Sequence, residues 1–359
     1  MLAGLLPACT KDTTPKSLQG PKQDYSRLPF VVQDNYTYSL YYQGLVASGY
    51  ADTLADQAGP FTILVPNNDA MVKGYFSYSN NSVNYFLQAS NPTLKDYVRY
   101  LIIPQKISFK SLPPGANQQF STLEGTPVYI TKYISGGDTV ITVNGIAVVP
   151  NGIDLPASNG SIDVLTSVPE PQIYANLWQR MLNDGSLTLF TTAAQRAGLQ
   201  SFFETQGQSL TVLAPSNTAF TNMYVAPGGP DLTSASKIEA ADPAQVKALL
   251  LYHVLKGTWF TNDFARVDTL SVAGDSVQLS MYNGEIMKYS QGQFSSIGLV
   301  PGLQSVLING HYVNVYTGPP GPASASYYSE FEYDIPAVTF LNRATGNGVL
   351  HEITSVLYP

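Results

Sequence analysis

The sequence has few cysteines, few histidines and few charged residues. Its 359 residues include one Cys and three His, which are too few for a zinc site built from Cys and His, and a single Cys cannot form an internal disulfide. Asp, Glu, Lys and Arg make up 12% of the chain, compared with about 25% of a typical soluble protein. We therefore expect stability to come from packing, and we expect no metal ion or other cofactor.

Two further absences narrow the range of partners. The net charge is −7 and no long cluster of Lys and Arg occurs, so the chain lacks the positive surface that binds phosphate backbones. Nucleic acid is therefore not an expected partner. After the first few residues, no apolar run approaches the roughly 18 residues that a membrane-spanning helix needs. We expect the body of the chain to contain no such helix.

The N-terminus is a short apolar run that ends at the only cysteine, Cys9. Its last four residues, Leu-Pro-Ala-Cys, resemble a bacterial lipobox, in which the signal is cut before a Cys that is then acylated. Residues 1–9 are therefore predicted to be a residual lipoprotein signal, with Cys9 as the lipidation site and the lipid as the contact with the membrane. The alternative is an apolar N-terminus that holds an incidental free Cys.

The segment after Cys9 has the composition of a flexible tether. Residues 10–23 are rich in Lys, Thr, Pro, Ser and Gln and contain a single Leu, a composition that buries too little apolar surface to become ordered. We predict a tether over residues 10–32.

The rest of the chain contains one domain twice. Residues 61–71 recur without gaps as residues 210–220. Four further blocks recur in the same order, namely 94–102 with 246–254, 143–145 with 308–310, 154–157 with 334–337, and 159–168 with 347–356. This duplication predicts a first domain at 33–171 and a second domain at 172–359. The spacing between paired blocks grows along the chain, which predicts insertions in the second copy near 281–300, 317–328 and 339–345.

The blocks also predict secondary structure. Residues 62–65 and 211–214 are short apolar strands that end at Pro, and Asn68 and Asn217 are placed to cap the helix that follows. Residues 94–103 and 246–255 have apolar side chains at helical spacing. Asn-Gly after residues 139–143 and 305–308 indicates hairpins. Helices come early and strands late in each copy, which favours an α+β fold.

These blocks resemble the fasciclin-like (FAS1) domain family. The residues that carry the resemblance are 211–220, 252–254 and 347–353 of the second copy. The first copy departs from the family pattern, because Leu101 stands where the family has His and Met71 stands where it has Phe. The resemblance covers about residues 33–359. It implies two tandem FAS1 domains, each a wedge of β-strands flanked by helices, and a role in extracellular adhesion rather than catalysis.

The resemblance also implies a location and a class of partner. A tandem pair on an acylated tether is similar to surface lipoproteins of the Bacteroidetes, some of which accompany glycan-uptake machinery. We therefore expect an exported outer-membrane lipoprotein at the cell surface that acts as an adhesion or binding module for an extracellular protein or polysaccharide. The alternative is an accessory glycan-binding protein of an outer-membrane polysaccharide-uptake system.

Motifs for catalysis are weak. Tyr252 and His253 form the family's Tyr-His pair, which we interpret as structural, with adhesion through the pair as the alternative. His351-Glu352 begins like a zinc-protease motif, but Ser355 replaces the second His ligand. A divergent glycoside hydrolase stays open as the alternative enzyme, because two of the 25 carboxylates could meet in the fold. No pair is nominated, so no catalytic residue is expected.

Aromatic side chains late in the chain are the candidate binding surface. Tyr327, Tyr328, Phe331 and Tyr333 crowd one segment of the second copy. Aromatic rings with a polar tip suit both sugar faces and protein interfaces, because they give a large contact area at low entropy cost. The alternative is that these rings pack locally or between the two domains.

The lipid anchor can be tested directly. Replacing Cys9 by Ala should release the protein from the membrane fraction of its host, because the acylated residue is then absent. Immunoblots of membrane and soluble fractions measure the change, and a Ser17→Ala variant in the tether is the control. Unchanged membrane association of Cys9→Ala would contradict the anchor.

Overall fold

A computed structural model describes residues 23–73, 87, 93–135, 138–260, 263, 279–280, 286–287, 303–308, 311–316 and 338–357. In these ranges the chain forms two copies of one mixed helix and sheet arrangement, which confirms the predicted α+β fold. We call residues up to 171 the first domain and residues from 172 the second domain. Cys9 and the late aromatic residues Tyr327, Tyr328, Phe331 and Tyr333 lie outside the described residues.

The two domains share one order of elements, with one more described helix, α10, in the second domain. The first domain contains α1 (Leu28–Gln33), α2 (Ser39–Ala47), α3 (Tyr50–Asp56), β1 (Phe61–Pro66), α4 (Asn68–Lys73), α5 (Leu94–Tyr100), β2 (Ile102–Ile103), β3 (Gly115–Ser121), β4 (Pro127–Ser135), β5 (Asp138–Val143), β6 (Ile146–Ala147), β7 (Leu155–Ala157) and β8 (Gly160–Leu165). The second contains α6 (Leu177–Leu182), α7 (Thr188–Arg196), α8 (Gln200–Glu204), β9 (Leu210–Pro215), α9 (Asn217–Thr221), α10 (Ala235–Ala240), α11 (Pro243–Leu251), β10 (Val254–Lys256), β11 (Leu279–Ser280), β12 (Ile286–Met287), β13 (Leu303–Ile308), β14 (His311–Tyr316), β15 (Val338–Thr345) and β16 (Gly348–Ile353). Among the described helices, none has the length and apolar character of a membrane span.

A four-stranded sheet lies at the centre of each domain. Its order is β2-β1-β8-β7 in the first domain and β10-β9-β16-β15 in the second. The two middle strands are parallel, β1 with β8 and β9 with β16, and all four are buried along their whole length. Strands that are covered on both faces read as continuous apolar runs, which explains why these segments were recognisable as strands in the sequence.

Two predicted helices end earlier than their apolar pattern suggests. The helix predicted over 94–103 ends at Tyr100, and the helix predicted over 246–255 ends at Leu251. The residues that follow form β2 and β10, which pair antiparallel with β1 and β9. Apolar spacing does not separate the last turn of a buried helix from a buried strand, so the prediction was wrong at these ends.

The predicted tether is too long at its C-terminal end. Residues 28–32 were assigned to the tether, yet α1 begins at Leu28, and Leu28 and Val32 are completely buried in the first core. The Arg27 guanidinium also donates to the carbonyl oxygen of Ala55 at 2.6 Å. This segment is therefore part of the first domain, because its apolar side chains complete the core.

The Asn-Gly hairpin of the first domain is confirmed. Asn144 and Gly145 join β5 to β6 with φ values of 48° and 73°, the left-handed conformations that a two-residue type I′ turn requires. In the second domain β13 and β14 pair antiparallel with Ile308 opposite His311.

The pairing of β15 corrects the end of the repeat. Ala157 lies opposite Gly160 in the first domain, and Thr345 lies opposite Gly348 in the second. Residues 343–345 are therefore the counterpart of β7, and the proposed match of 154–157 with 334–337 is wrong. The insertion predicted near 339–345 is also wrong at 343–345, since those residues belong to the repeated sheet. A four-residue sequence match is too short to determine strand register.

The side chain of one buried asparagine in each domain binds three backbone groups from two separate segments of the chain. The Asn159 side chain accepts from the Leu28 N–H at 2.9 Å and donates to the carbonyls of Leu54 and Gln57 at 2.7 and 3.1 Å. Asn347 repeats this with the Leu177 N–H and two carbonyls, those of Phe203 and Thr205, at 2.8, 2.9 and 3.0 Å. We call each arrangement an asparagine clasp.

The clasp generates a stability prediction. Asn347→Ala should lower the free energy of unfolding by about 3–5 kcal/mol, because one buried N–H and two carbonyls lose their partner. Asn222→Ala, at an exposed position, should change it by less than about 0.5 kcal/mol. Urea unfolding followed by circular dichroism measures both, and equal midpoints for the two variants would contradict the role of the clasp.

Candidate functional site

The Tyr-His pair lies in the turn between α11 and β10. The sequence placed His253 in a helix, but α11 ends at Leu251, so the pair begins the connection to the strand. Both side chains are buried, with 1% of Tyr252 and none of His253 exposed. The two rings lie 6.5 Å apart in an edge-to-face arrangement. A partner at the protein surface therefore has no access to either ring.

The hydrogen bonds of His253 determine its protonation. The Leu357 N–H donates to Nε2 at 2.8 Å, so Nε2 carries no proton. Nδ1 then holds the proton and donates to the Leu249 carbonyl at 2.9 Å. His253 is a neutral ring that joins the end of α11 to the C-terminal segment. In the first domain Leu101 occupies this position and is also buried.

His351 is a second buried and neutral ring, on β16. The Asn342 N–H donates to Nδ1 at 3.2 Å, and Nε2–H donates to the Trp259 carbonyl at 2.9 Å. Burial lowers the pKa of the His351 imidazole to about 4, opposed by its bond to Trp259. Both described imidazole rings are thus bound to backbone at both nitrogens, which removes them as general bases for a bound substrate.

Two carboxylates of the second domain meet through a serine. Ser186 Oγ lies 2.6 Å from Asp184 Oδ1 and 2.8 Å from Glu352 Oε2, and Arg343 forms an ion pair with Asp184. Although burial raises it, the hydrogen bonds from Ser186 and the charge of Arg343 hold the pKa of Asp184 below its usual value. The acid of a glycoside hydrolase requires a raised pKa. The network therefore fits a structural role for Asp184 better than an acid catalyst.

Side chains that could bind a metal ion are not grouped in the described part of the chain. The described ranges contain no group of three or more His, Cys, Asp or Glu side chains that could hold a metal ion. Glu352 contacts Ser186 on one side of β16, whereas His351, its neighbour in the sequence, bonds to Trp259. The start of a zinc-protease motif at His351 thus has no second ligand in the sequence, and the described residues around it form no ligand cluster.

The two domains contact each other through a small apolar cluster. Tyr129 of the first domain packs on Phe260 of the second with ring centroids 5.5 Å apart, and Ala344 and Val349 complete the cluster. A Cβ at Gly145 would lie 2.6 Å from the Phe260 Cβ. The turn therefore needs Gly for this close approach as well as for its positive φ.

The segment between the domains is bound on both sides. Gln172 Nε2 donates to the Pro127 carbonyl of the first domain at 2.6 Å. Arg180 of α6 forms two hydrogen bonds with Glu170, at 2.9 and 3.3 Å, and both side chains are largely buried. The Arg180 guanidinium also lies 5.0 Å from the centre of the Tyr174 ring. These contacts hold the connection against both domains.

Some aromatic side chains that the sequence analysis did not select are exposed. Tyr36, Tyr224 and Tyr25 expose 85%, 70% and 69% of their surface. Tyr36 precedes α2 and points to solvent, while Tyr38 and Tyr41 are buried. Sequence gave no signal for Tyr224, which follows α9 in a loop.

Comparisons with known proteins agree with the repeat. The family model described as "Fasciclin domain" matches residues 37–171 and 185–298. The chain is 24% identical over 242 residues to transforming growth factor-beta-induced protein ig-h3 of Sus scrofa and, equally, of Oryctolagus cuniculus. These matches cover 67% of this chain and 31% of each relative, so the chain spans about a third of their length.

A solved structure is also similar. It is a FAS1 domain pair from the insect cell adhesion molecule fasciclin I, with a TM-score of 0.39 and 17% identity, and the match covers 91% of this chain and 98% of that chain.

His253 provides the test of the buried pair. His253→Ala should lower the free energy of unfolding by about 2–4 kcal/mol, because the Leu357 N–H and the Leu249 carbonyl lose a partner and a cavity forms. The affinity of the folded variant for any surface ligand should stay at the level of the unchanged protein. Lys247→Ala, on the exposed face of α11, is the control. A variant with normal stability and abolished binding would contradict this interpretation.

Proposed function

Because the chain belongs to the fasciclin domain family, which its two matched segments establish, we propose that it is a non-enzymatic adhesion or binding module at a cell surface. In this proposal Cys9 carries the lipid that holds the protein at the outer membrane. Residues 10–23 are the tether, and the two domains present the binding surface. The partner is an extracellular protein or polysaccharide.

The observation that carries the proposal is that the reactive side chains described above are engaged in hydrogen bonds within the protein. His253 and His351 are neutral rings bound to backbone at both nitrogens. Asp184 is engaged by Ser186 and Arg343. These groups therefore serve packing and hydrogen bonding. The described surface offers a ligand exposed aromatic rings, which supports a role in binding.

The low charge of the chain supports the same role. With 12% charged residues, its surface has little electrostatic attraction to offer, so contact must rest on aromatic and polar uncharged groups. The exposed tyrosines Tyr25 and Tyr36 are of this kind. The proposed centre of the binding surface is the late aromatic group, Tyr327, Tyr328, Phe331 and Tyr333. The second copy of the domain is longer than the first in this segment, which supports a role specific to this protein.

A binding screen tests the proposal. The full chain is applied to a panel of polysaccharides and extracellular matrix proteins, and the release of reducing sugar is measured in the same wells. We expect saturable binding to one class with no release of sugar. Binding to a polysaccharide would favour the accessory role in glycan uptake, binding to a protein would favour adhesion, and release of sugar would overturn the non-enzymatic proposal.

Matched tyrosine variants locate the surface. The double variant Tyr327→Ala and Tyr328→Ala should weaken binding at least about tenfold, which corresponds to about 1.4 kcal/mol, because two anchoring rings are removed. Tyr224→Ala removes a ring that is 70% exposed in another part of the second domain, and it should leave the affinity within about twofold. Equal effects of the two sets, at unchanged melting temperature, would contradict the assignment of the late aromatic group.

A further inference from the structure

Asp163 and His351 occupy the same position in the two domains. Asp163 lies opposite Leu64 in the parallel pair β1 and β8, and His351 lies opposite Leu213 in the parallel pair β9 and β16. Each accepts a hydrogen bond from the backbone N–H nine residues earlier. The Asp154 N–H donates to Asp163 Oδ1 at 2.9 Å, and the Asn342 N–H donates to His351 Nδ1 at 3.2 Å.

The donors of these bonds also correspond. Asp154 and Asn342 both have left-handed backbone, with φ values of 55° and 60°. The same site of the fold therefore holds an acid in the first domain and an imidazole in the second, and each of these two side chains is completely buried.

The second polar atom distinguishes the two sites. His351 Nε2 donates to the Trp259 carbonyl. In the first domain the counterpart of Trp259 is Ile107, since each of the two donates its N–H to the equivalent threonine, Thr62 or Thr211. Asp163 Oδ2 has no hydrogen-bond partner among the described residues. Ser161 Oγ, 3.5 Å from the Ile107 carbonyl, faces that oxygen instead.

Asp163 is hydrogen-bonded to one of two loops that the Asp154 carboxylate joins to each other. Asp154, in the 150–154 loop, accepts from the N–H groups of Phe109 and Lys110 at 2.8 and 3.1 Å and from Ser108 Oγ at 2.8 Å. The loop of residues 104–112 is thereby fixed to the loop of residues 150–154. The Asp154 N–H in turn donates to Asp163, so a chain of hydrogen bonds links Asp163 to both loops.

Burial favours the neutral form of Asp163, and the charges around it act in both directions. The strands β1 and β7 contribute no ionisable side chain, and the two loops contribute the Asp154 carboxylate, the Lys110 ammonium and the exposed Lys106. Burial raises the pKa of Asp163 to about 8. The bond from the Asp154 N–H and the charge of Lys110 lower it, and the Asp154 carboxylate raises it further.

We propose that Asp163 is a proton-operated lock of the first domain: the protonated side chain keeps the loops of residues 104–112 and 150–154 closed on the central sheet, and ionisation loosens them. An ionised Asp163 places a second negative charge beside Asp154 and leaves a charged oxygen buried without a partner. Release of the Asp154 bonds to Ser108, Phe109 and Lys110 would separate the two carboxylates and admit water to the charged oxygen of Asp163.

The direction of the pH effect follows from proton binding. Between pH 3.8, the ordinary pKa of Asp, and about pH 8, the folded first domain holds a proton that the unfolded chain has lost. Its stability therefore falls as pH rises through this window. His351 has the opposite sense, because between about pH 4 and 6.5 the unfolded chain binds the extra proton. Above pH 6.5 only the first domain should respond to pH through this shared site.

Hydrogen exchange of the full chain tests the lock. After correction for the intrinsic pH dependence of exchange, opening of peptides that cover residues 104–112 and 148–156 should rise by about tenfold per pH unit between pH 6 and 8. A peptide that covers residues 343–353 of the second domain should stay constant. Equal pH responses in the two domains would overturn the proposal.

Two variants separate the charge from the shape of the side chain. Asp163→Asn keeps the acceptor for the Asp154 N–H without a charge, and Asp163→His copies the second domain, so either variant that folds should remove the alkaline response. Asp52→Asn, at an exposed position in α3, should keep it. If neither variant folds, a ¹³C titration of aspartate carboxyls in the unchanged protein decides. A carboxyl that titrates near pH 8 supports the lock, and its absence overturns it.

Discussion

The asparagine clasp is the interaction on which the rest of each domain depends. One amide supplies one acceptor and two donors, and here they meet the first N–H of the leading helix and two carbonyls at the end of the third helix. The backbone carbonyl of the same residue accepts from the first residue of the central strand, from Phe61 at 3.0 Å and from Leu210 at 3.2 Å. Helices and sheet are therefore joined at a single buried residue in each copy.

The glycine after the clasp serves the same purpose. A Cβ at Gly160 would lie 2.2 Å from the Phe61 carbonyl oxygen, and one at Gly348 would lie 2.3 Å from that of Leu210. Any side chain there would separate the parallel strands at the point where the clasp brings them together. The Asn-Gly dipeptide thus has two structural roles in this chain. At residues 144–145 it forms a hairpin turn, and at residues 159–160 it begins a buried strand.

Much of this architecture could be predicted from the sequence because the domain occurs twice. The apolar strands, the α+β fold and the first hairpin all follow from local patterns that the repeat reinforces. The helix ends did not, because Ile102-Ile103 satisfies both helical and strand spacing. Asn68 and Asn217 were expected to cap helices, but the caps are Asn67 and Ser216. The side-chain amides of Asn68 and Asn217 instead accept hydrogen bonds from the N–H groups of Leu40 and Leu189, which are distant in the sequence. Partners far apart in the chain leave no local pattern. The burial of Asp163 could not be predicted for the same reason, since it depends on packing of the loops of residues 104–112 and 150–154 against the sheet.

The domain contact has a consequence for multivalent ligands. Gln172, Arg180 and the ring pair Tyr129 and Phe260 hold the two domains against each other, so the distance between any two sites on them is set by packing rather than by linker length. In such an arrangement the effective concentration of the second site is high for a ligand whose repeat matches that distance and very low for one whose repeat does not. A long polymer would then be selected by the spacing of its repeating units, even where each single contact is weak.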